Sequence, residues 1–220
     1  MMTDTMEKAD WFERIWAHRE DVLYPNFFGT QAEGIFTIPM QNLEKGGIAD
    51  PRWASCGVIR FAPTAARNSW LYVSSGLSNE WFESVPDRAA VSGFGCEFVL
   101  ETPTQDQWPI QRVHQIMCYQ IALCLGQHPD SDPMTIGDRV PLGHAIDWGT
   151  SELKYLLVTE PIRIPPTFNQ DSGRAAFLQL IGISETERSF AEQSGFDALI
   201  ERLKMHDDFP TTDPVRKTLF

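Results

Sequence analysis

The sequence is short of positive charge: 18 Lys plus Arg stand against 30 Asp plus Glu, a formal net charge of −12. With a sequence pI of about 4.8, phosphate neutralisation has no basic surface to work with, which excludes a nucleic-acid binder and docking on anionic membrane. No apolar run approaches the roughly 18 residues a membrane span needs; the longest, Tyr155–Val158 and Phe177–Ile183, suit buried strands. The N-terminus MMTDTMEKADWFERIW mixes acids and bases without the apolar core of a signal peptide. Only four cysteines occur, Cys56, Cys96, Cys118 and Cys124, and none forms a CxxC pair. Apolar neighbours around each predict buried reduced thiols and a cytoplasmic chain. Internal repeats, low-complexity segments and a long linker are all absent.

What is present is a globular balance, 42% hydrophobic and 22% charged over 220 residues, enough for a real core. Periodicity predicts an amphipathic helix over 5–24, with Trp11, Ile15, Val22, Trp16, Arg19 and Leu23 along its stripe and Tyr24-Pro25 as its end. Strands are predicted at 34–39, 55–61, 69–74, 95–100, 153–159 and 175–184, and residues 40–52 read as a loop. A helix runs from a cap at Thr104 or Asp106, through Pro109, to Gly126. Ser184-Glu185-Thr186-Glu187 matches a capping box, followed by two short helices broken at Gly195. Segregated helices and strands favour one α+β domain over 1–220, a mixed β-sheet core with helices packed around it.

Four chemistries compete for the active residues. The irregular stretch 127–150 carries His128, Asp130, Asp132, Asp138, His144 and Asp147, residue types that ligate zinc or iron, but no ligand-motif spacing links them. Ser92-Gly93-Phe94-Gly95 precedes a strand rather than a helix and lacks a following lysine, so it is no phosphate cradle. Ser74-Ser75-Gly76-Leu77-Ser78 is not a nucleophile elbow. His18, His114 and His206 sit among polar helix neighbours and read as surface residues. Of seven tryptophans, Trp81 (with Phe82) and Trp148 fall in predicted loops and are candidate interface anchors.

The ordered set Trp70–Ser78 (WLYVSSGLS), Ser92–Phe98 (SGFGCEF), Gln107-Trp108-Pro109, Gly137–Val140 (GDRV), Leu156–Glu160 (LLVTE), Phe177–Ile183 (FLQLIGI) and Thr212-Asp213-x-x-Arg216, with the early Tyr24-Pro25, resembles the suppressor of fused domain family over nearly the whole chain. The resemblance implies an α+β fold, no catalysis, no cofactor and a protein or peptide partner. In eukaryotic members two domains grip an extended peptide, and a helix tyrosine and the aspartate of a Gly-Asp motif face it; these match Tyr119 and Asp138. The chain ends at Phe220 without room for a second domain, so the resemblance is to the single-domain bacterial type, for which the expectation is an immunity protein neutralising a toxin. A peptide-binding adaptor, or a metal-dependent enzyme using His128, His144 and their aspartates, remain the rivals. Residues 79–106 hold six acids and one base, and residues 127–160 six acids and two bases. Together they are expected to form an acidic recognition face for a basic partner, with Asp130, Asp132, Asp138, Tyr119 and Trp148 as its contacts.

Overall fold

The computed structural model describes residues 11–81, 89–206 and 208–220. Part of the predicted N-terminal helix (5–10), Phe82 and part of the first acidic stretch (83–88) lie outside them. A sheet of eight strands runs β1 (Ala32–Thr37), β2 (Gly57–Phe61), β3 (Trp70–Ser75), β4 (Val91–Thr102), β8 (Gly173–Ser184), β6 (Leu153–Thr159), β5 (Arg139–Pro141), with β7 (Thr167–Gln170) also on β8. Among the described residues only β4 and β8 pair in parallel; every other pairing there is antiparallel, which makes the sheet mixed. The α+β expectation therefore holds.

Alternation along the central strands sends successive side chains to opposite faces. Phe98 and Leu100 of β4, Leu178 and Leu180 of β8 and Leu156 and Val158 of β6 face α3 (Trp108–Cys124), whose Val113, Met117 and Ile121 are fully buried. On the opposite face Val99 and Phe177 meet α1 (residues 11–28), and Leu157, Ile181 and Ile183 meet α4 (Glu185–Ser194) and α5 (Phe196–Lys204). The capping box is formed as expected: Ser184 Oγ accepts from the Glu187 N–H, and the Glu187 carboxylate accepts from the Ser184 N–H.

Helix α1 does not stop at Tyr24-Pro25. It is α-helical over residues 11–17, π-helical over His18–Leu23 and α-helical again over Tyr24–Phe28. The wide turn sends the Tyr24 N–H to the Arg19 carbonyl, five residues back. It carries the chain past a proline that would collide with the carbonyl four residues earlier in a regular helix. The inward residues follow the same geometry: Ile15, Arg19, Tyr24 and Phe28, all buried, are spaced four, five and four. Other corrections are local. Residues 40–52 contain α2 (Met40–Lys45), which buries Leu43, and the start of a 3-10 turn, Pro51–Ser55. The start of α3 has no side-chain cap at Gln107. The Asp106 backbone instead exchanges hydrogen bonds with the Tyr72 hydroxyl, 2.8 and 3.0 Å.

His114 is 4% exposed rather than a surface residue. Its Nε2–H donates to the Phe36 carbonyl at 2.7 Å, tying α3 to β1. Burial pulls its pKa below the ordinary 6.5, only partly opposed by that bond.

Glu97 and Glu101, two carboxylates of the first acidic stretch, are 0% and 3% exposed and so belong to no surface. Glu97 accepts from the N–H groups of Gly76 (3.0 Å) and Ser78 (2.9 Å), from Ser78 Oγ (2.7 Å) and from Ser74 Oγ. Arg19 closes the far side of the same loop through Ser75 Oγ (2.7 Å) and Asn79 Oδ1. Gly93, at φ 56°, lies so close that a Cβ there would stand 2.2 Å from the Asn79 carbonyl. Glu101 meets Arg163 at 2.9 Å, and its carbonyl accepts from Thr212 of the C-terminal tail. Arg216 locks that tail with a salt bridge to buried Glu187 and a 2.8 Å bond to the Gly182 carbonyl.

Two outcomes follow. Glu97→Ala strands four donors in the interior and is expected to lower unfolding free energy by about 3 kcal/mol or more in urea titrations. For His114, the unfolded chain takes up a proton below pH 6.5 that the folded chain refuses, so stability falls with pH below that value. The urea midpoint should drop between pH 7 and 5, and the drop should flatten in His114→Gln.

Candidate functional site

The β5 end of the sheet collects most of the expected contact residues. After α3, residues 127–138 run as an irregular segment to β5, held to the helix where the Met134 N–H meets Gln120 Oε1 at 2.9 Å. The folding-back creates a cleft of about 460 Å³ between α3 and β5, walled by Tyr119, Leu123, Asp132, Met134, Asp138 and Arg139. Tyr119 and Asp138, nineteen positions apart in sequence, thus line one cavity. Asp138 is half-buried, and its Oδ2 accepts from the Thr135 N–H at 2.7 Å, which tightens the turn. Two aspartates against one arginine make the cleft acidic.

Tyr119 is also the wall of a neighbouring hollow of about 350 Å³ that reaches Asn42 and Lys45 of α2. There its ring meets His128 edge-on, 5.5 Å between centroids. Asp130 is exposed on the same segment but does not line the cleft.

Trp148 stands apart. It is 40% exposed at φ 58°, with its ring 3.6 Å from the Arg112 guanidinium. Arg112 is fixed by the carbonyls of Ala145 (2.5 Å) and Ile146 (2.8 Å) and by Gln115 Oε1 (2.8 Å). Arg112, Gln115 and Tyr119 are spaced i, i+3, i+7 on α3, so the Arg112 that Trp148 covers lies about 10 Å along the axis from Tyr119. Trp81, the other candidate anchor, is half-buried: its Nε1–H donates to the Gly76 carbonyl at 2.6 Å and its ring packs on Trp53.

The rival chemistries find little to work with. Among the described residues no three His, Cys, Asp or Glu converge to hold a metal, and His128 and His144 are both exposed. Ser74, Ser75 and Ser78 are engaged by Glu97 and Arg19. Burial raises every cysteine pKa, to about 11 for Cys118 and Cys124 and further for Cys56 and Cys96, so none is a ready thiolate. No helix among the described residues is long and apolar enough to cross a membrane.

Sequence reasoning missed the apolar and backbone parts of the site: the open β5 edge, and Ile136 and Ile162, 50% and 51% exposed beside it. The only signal was the proline in Arg139-Val140-Pro141, since proline within a sheet marks an edge.

The family model described as Suppressor of fused protein (SUFU) matches residues 52–217. Among solved structures, the chain is similar to one from the Sufu–Fu complex (TM-score 0.65, 19% identity, 95% of this chain and 92% of that one). It is also similar to a SUFU homolog from Neisseria gonorrhoeae (TM-score 0.63, 17% identity, 96% and 98%). Drosophila Suppressor of Fused aligns over 82% of this chain but 50% of its own length (TM-score 0.61, 18% identity). Among curated proteins none matches by sequence.

The cleft residues differ in how far the fold depends on them. Tyr119→Ala and Asp132→Asn, both at exposed positions, should leave the unfolding free energy within about 0.5 kcal/mol of wild type. Asp138→Ala should cost about 1 kcal/mol through the lost Thr135 bond. Thermal or urea unfolding checks all three.

Proposed function

The chain belongs to the suppressor of fused family, and from that footing we propose that it is a non-catalytic protein-binding domain whose docking surface is the cleft between α3 and β5. One observation carries the reading: Tyr119, Asp132 and Asp138 share an acidic cleft beside a strand with no neighbour on its outer side among the described residues. Such an edge accepts an extended segment through main-chain hydrogen bonds, and the pockets beside it choose the side chains. The carboxylates favour a basic partner and speed its encounter at low salt.

The biological form we propose is an immunity protein that neutralises a basic toxin, a nuclease whose own surface fits phosphate being the natural match for the charge. Binding alone suffices for that role, and the engaged serines, buried thiols and dispersed histidines agree with it. Trp148, an exposed aromatic held rigid by Arg112 on the same helix stripe, serves as a second anchor at the rim. We assign the chain to the cytoplasm and read 1–220 as one domain.

The test is co-expression with the product of the adjacent reading frame. A tight complex that suppresses that product's toxicity is expected, with affinity falling at least tenfold in Tyr119→Ala and in Asp130/Asp132/Asp138→Asn together, and falling again as salt is raised. A harmless partner bound at the same cleft would favour the adaptor reading. Affinity unmoved by these substitutions and by salt would place the docking surface elsewhere.

A further inference from the structure

The hollow on the α2 side of Tyr119 has the reverse chemistry of the acidic cleft. Its space, about 350 Å³, is bounded by one face of α3 and one face of α2. Gln115, Cys118, Tyr119 and Ala122 stand at i, i+3, i+4 and i+7 on α3, and Asn42 and Lys45 at i and i+3 on α2. His128 closes a third side. There Gln127 Nε2 donates to the Gly47 carbonyl at 3.0 Å, tying the segment after α3 to the end of α2.

The floor is small and apolar. Cys118 and Ala122 are 6% and 2% exposed. Gly46 borders them at φ −78°, a conformation open to any residue, so its missing side chain is a matter of space. A Cβ there would stand 3.3 Å from the Asn42 carbonyl and 3.6 Å from Cys118 Cβ.

Around that floor the polar groups are mainly donors. The Lys45 ammonium makes no ion pair or hydrogen bond among the described residues. Gln115 gives its Oε1 to Arg112 at 2.8 Å, which leaves its amide N–H groups free. The Tyr119 hydroxyl and the His128 ring nitrogens likewise bond to no described residue, and no aspartate or glutamate is among the lining residues. In a chain of net charge −12, an ammonium with neutral donors and no carboxylate is a local reversal of sign. The Tyr119 and His128 rings meet edge-on at 5.5 Å, and a third ring can extend that wall in the same geometry.

We propose that this hollow binds a free aromatic carboxylate of small-molecule size. The ring rests on Cys118 and Ala122 against the Tyr119–His128 wall, and the carboxylate reaches Lys45 and Gln115. A cavity near the low end of ligand-pocket volumes suits one single or fused ring. An amine of the same shape would meet the Lys45 ammonium. A peptide would bring backbone N–H groups to a wall that already consists of donors. The site goes beyond protein docking: it takes another class of ligand on the opposite side of Tyr119, and its test needs no protein partner.

The experiment titrates the isotope-labelled full chain, followed by amide NMR, with three probes that share one ring: phenylacetate, phenylacetamide and phenethylamine. Phenylacetate should saturate with a dissociation constant of about 1 mM or below, shifting amides within 42–46, 115–122 and at 128. Phenylacetamide should bind about fivefold more weakly, and phenethylamine should leave those amides unmoved. Lys45→Glu and Gln115→Glu, both at exposed positions, should each weaken phenylacetate about fivefold or more. The second keeps an oxygen for Arg112 while removing the donors. Equal binding by all three probes, no saturable shift with phenylacetate, or binding unmoved by both substitutions overturns the proposal. A short peptide ending in phenylalanine with a free carboxylate that binds about tenfold more tightly than phenylacetate would assign the hollow to a protein terminus and overturn it as well.

Discussion

The fold turns on a carboxylate that water never reaches. Glu97, in the middle of β4, accepts from two backbone amides and two hydroxyls of the Ser74–Ser78 turn. Arg19 holds the other side of that turn and thereby sets α1 on the sheet. A buried charge costs several kcal/mol in lost hydration unless every lone pair is met. Meeting them here requires β3, β4, the turn and α1 to stand in one arrangement. The two glycine-rich segments that carry the family resemblance are the two halves of this knot. Their glycines sit where a side chain would strike Cys56 (Gly76) or the Asn79 carbonyl (Gly93). Those motifs describe a scaffold, not a reaction centre.

With that half of the sheet fixed, the variable chemistry falls to the opposite end. The sheet terminates in β5, three residues long and half-blocked by Pro141. Short, proline-bearing edges resist indiscriminate pairing, and the acidic cleft of Asp132 and Asp138 lies beside this one. The C-terminal tail is held beside α4 and α5, which pack against β6 and β8: Thr212 and Arg216 pin it to Gly182, Glu101 and Glu187.

Much of the layout was legible because it rests on local rules. The Ser184 capping box, the break at Gly195 and the span of β6 need only neighbouring residues to be read. Residues 40–52 were obscured by Gly46-Gly47 and Asp50-Pro51, whose turn signals outweighed one buried leucine in α2. His114 and Glu97 were misjudged for a shared reason: polarity in sequence says nothing of what a distant strand brings alongside. Charge counting failed at Glu97 and Glu101, which are buried, whereas Asp132 and Asp138 of the second stretch line the cleft. The pairing of Tyr119 with Asp138 came from the family resemblance; periodicity alone would not have joined a helix face to a turn.

The proposed docking at β5 is tested most directly by one amide. Asp138 O and Leu142 N bond to β6, so by the alternation of the ladder the Arg139 N–H points away from β6. It has no ladder partner among the described residues and is expected to exchange readily with deuterium in the free chain. Hydrogen exchange on the complex with the protein partner should show this amide and its neighbours from 132 to 141 strongly slowed. Protection confined to β1 or α1, with Arg139 exchanging as fast as in the free chain, would contradict docking at this edge.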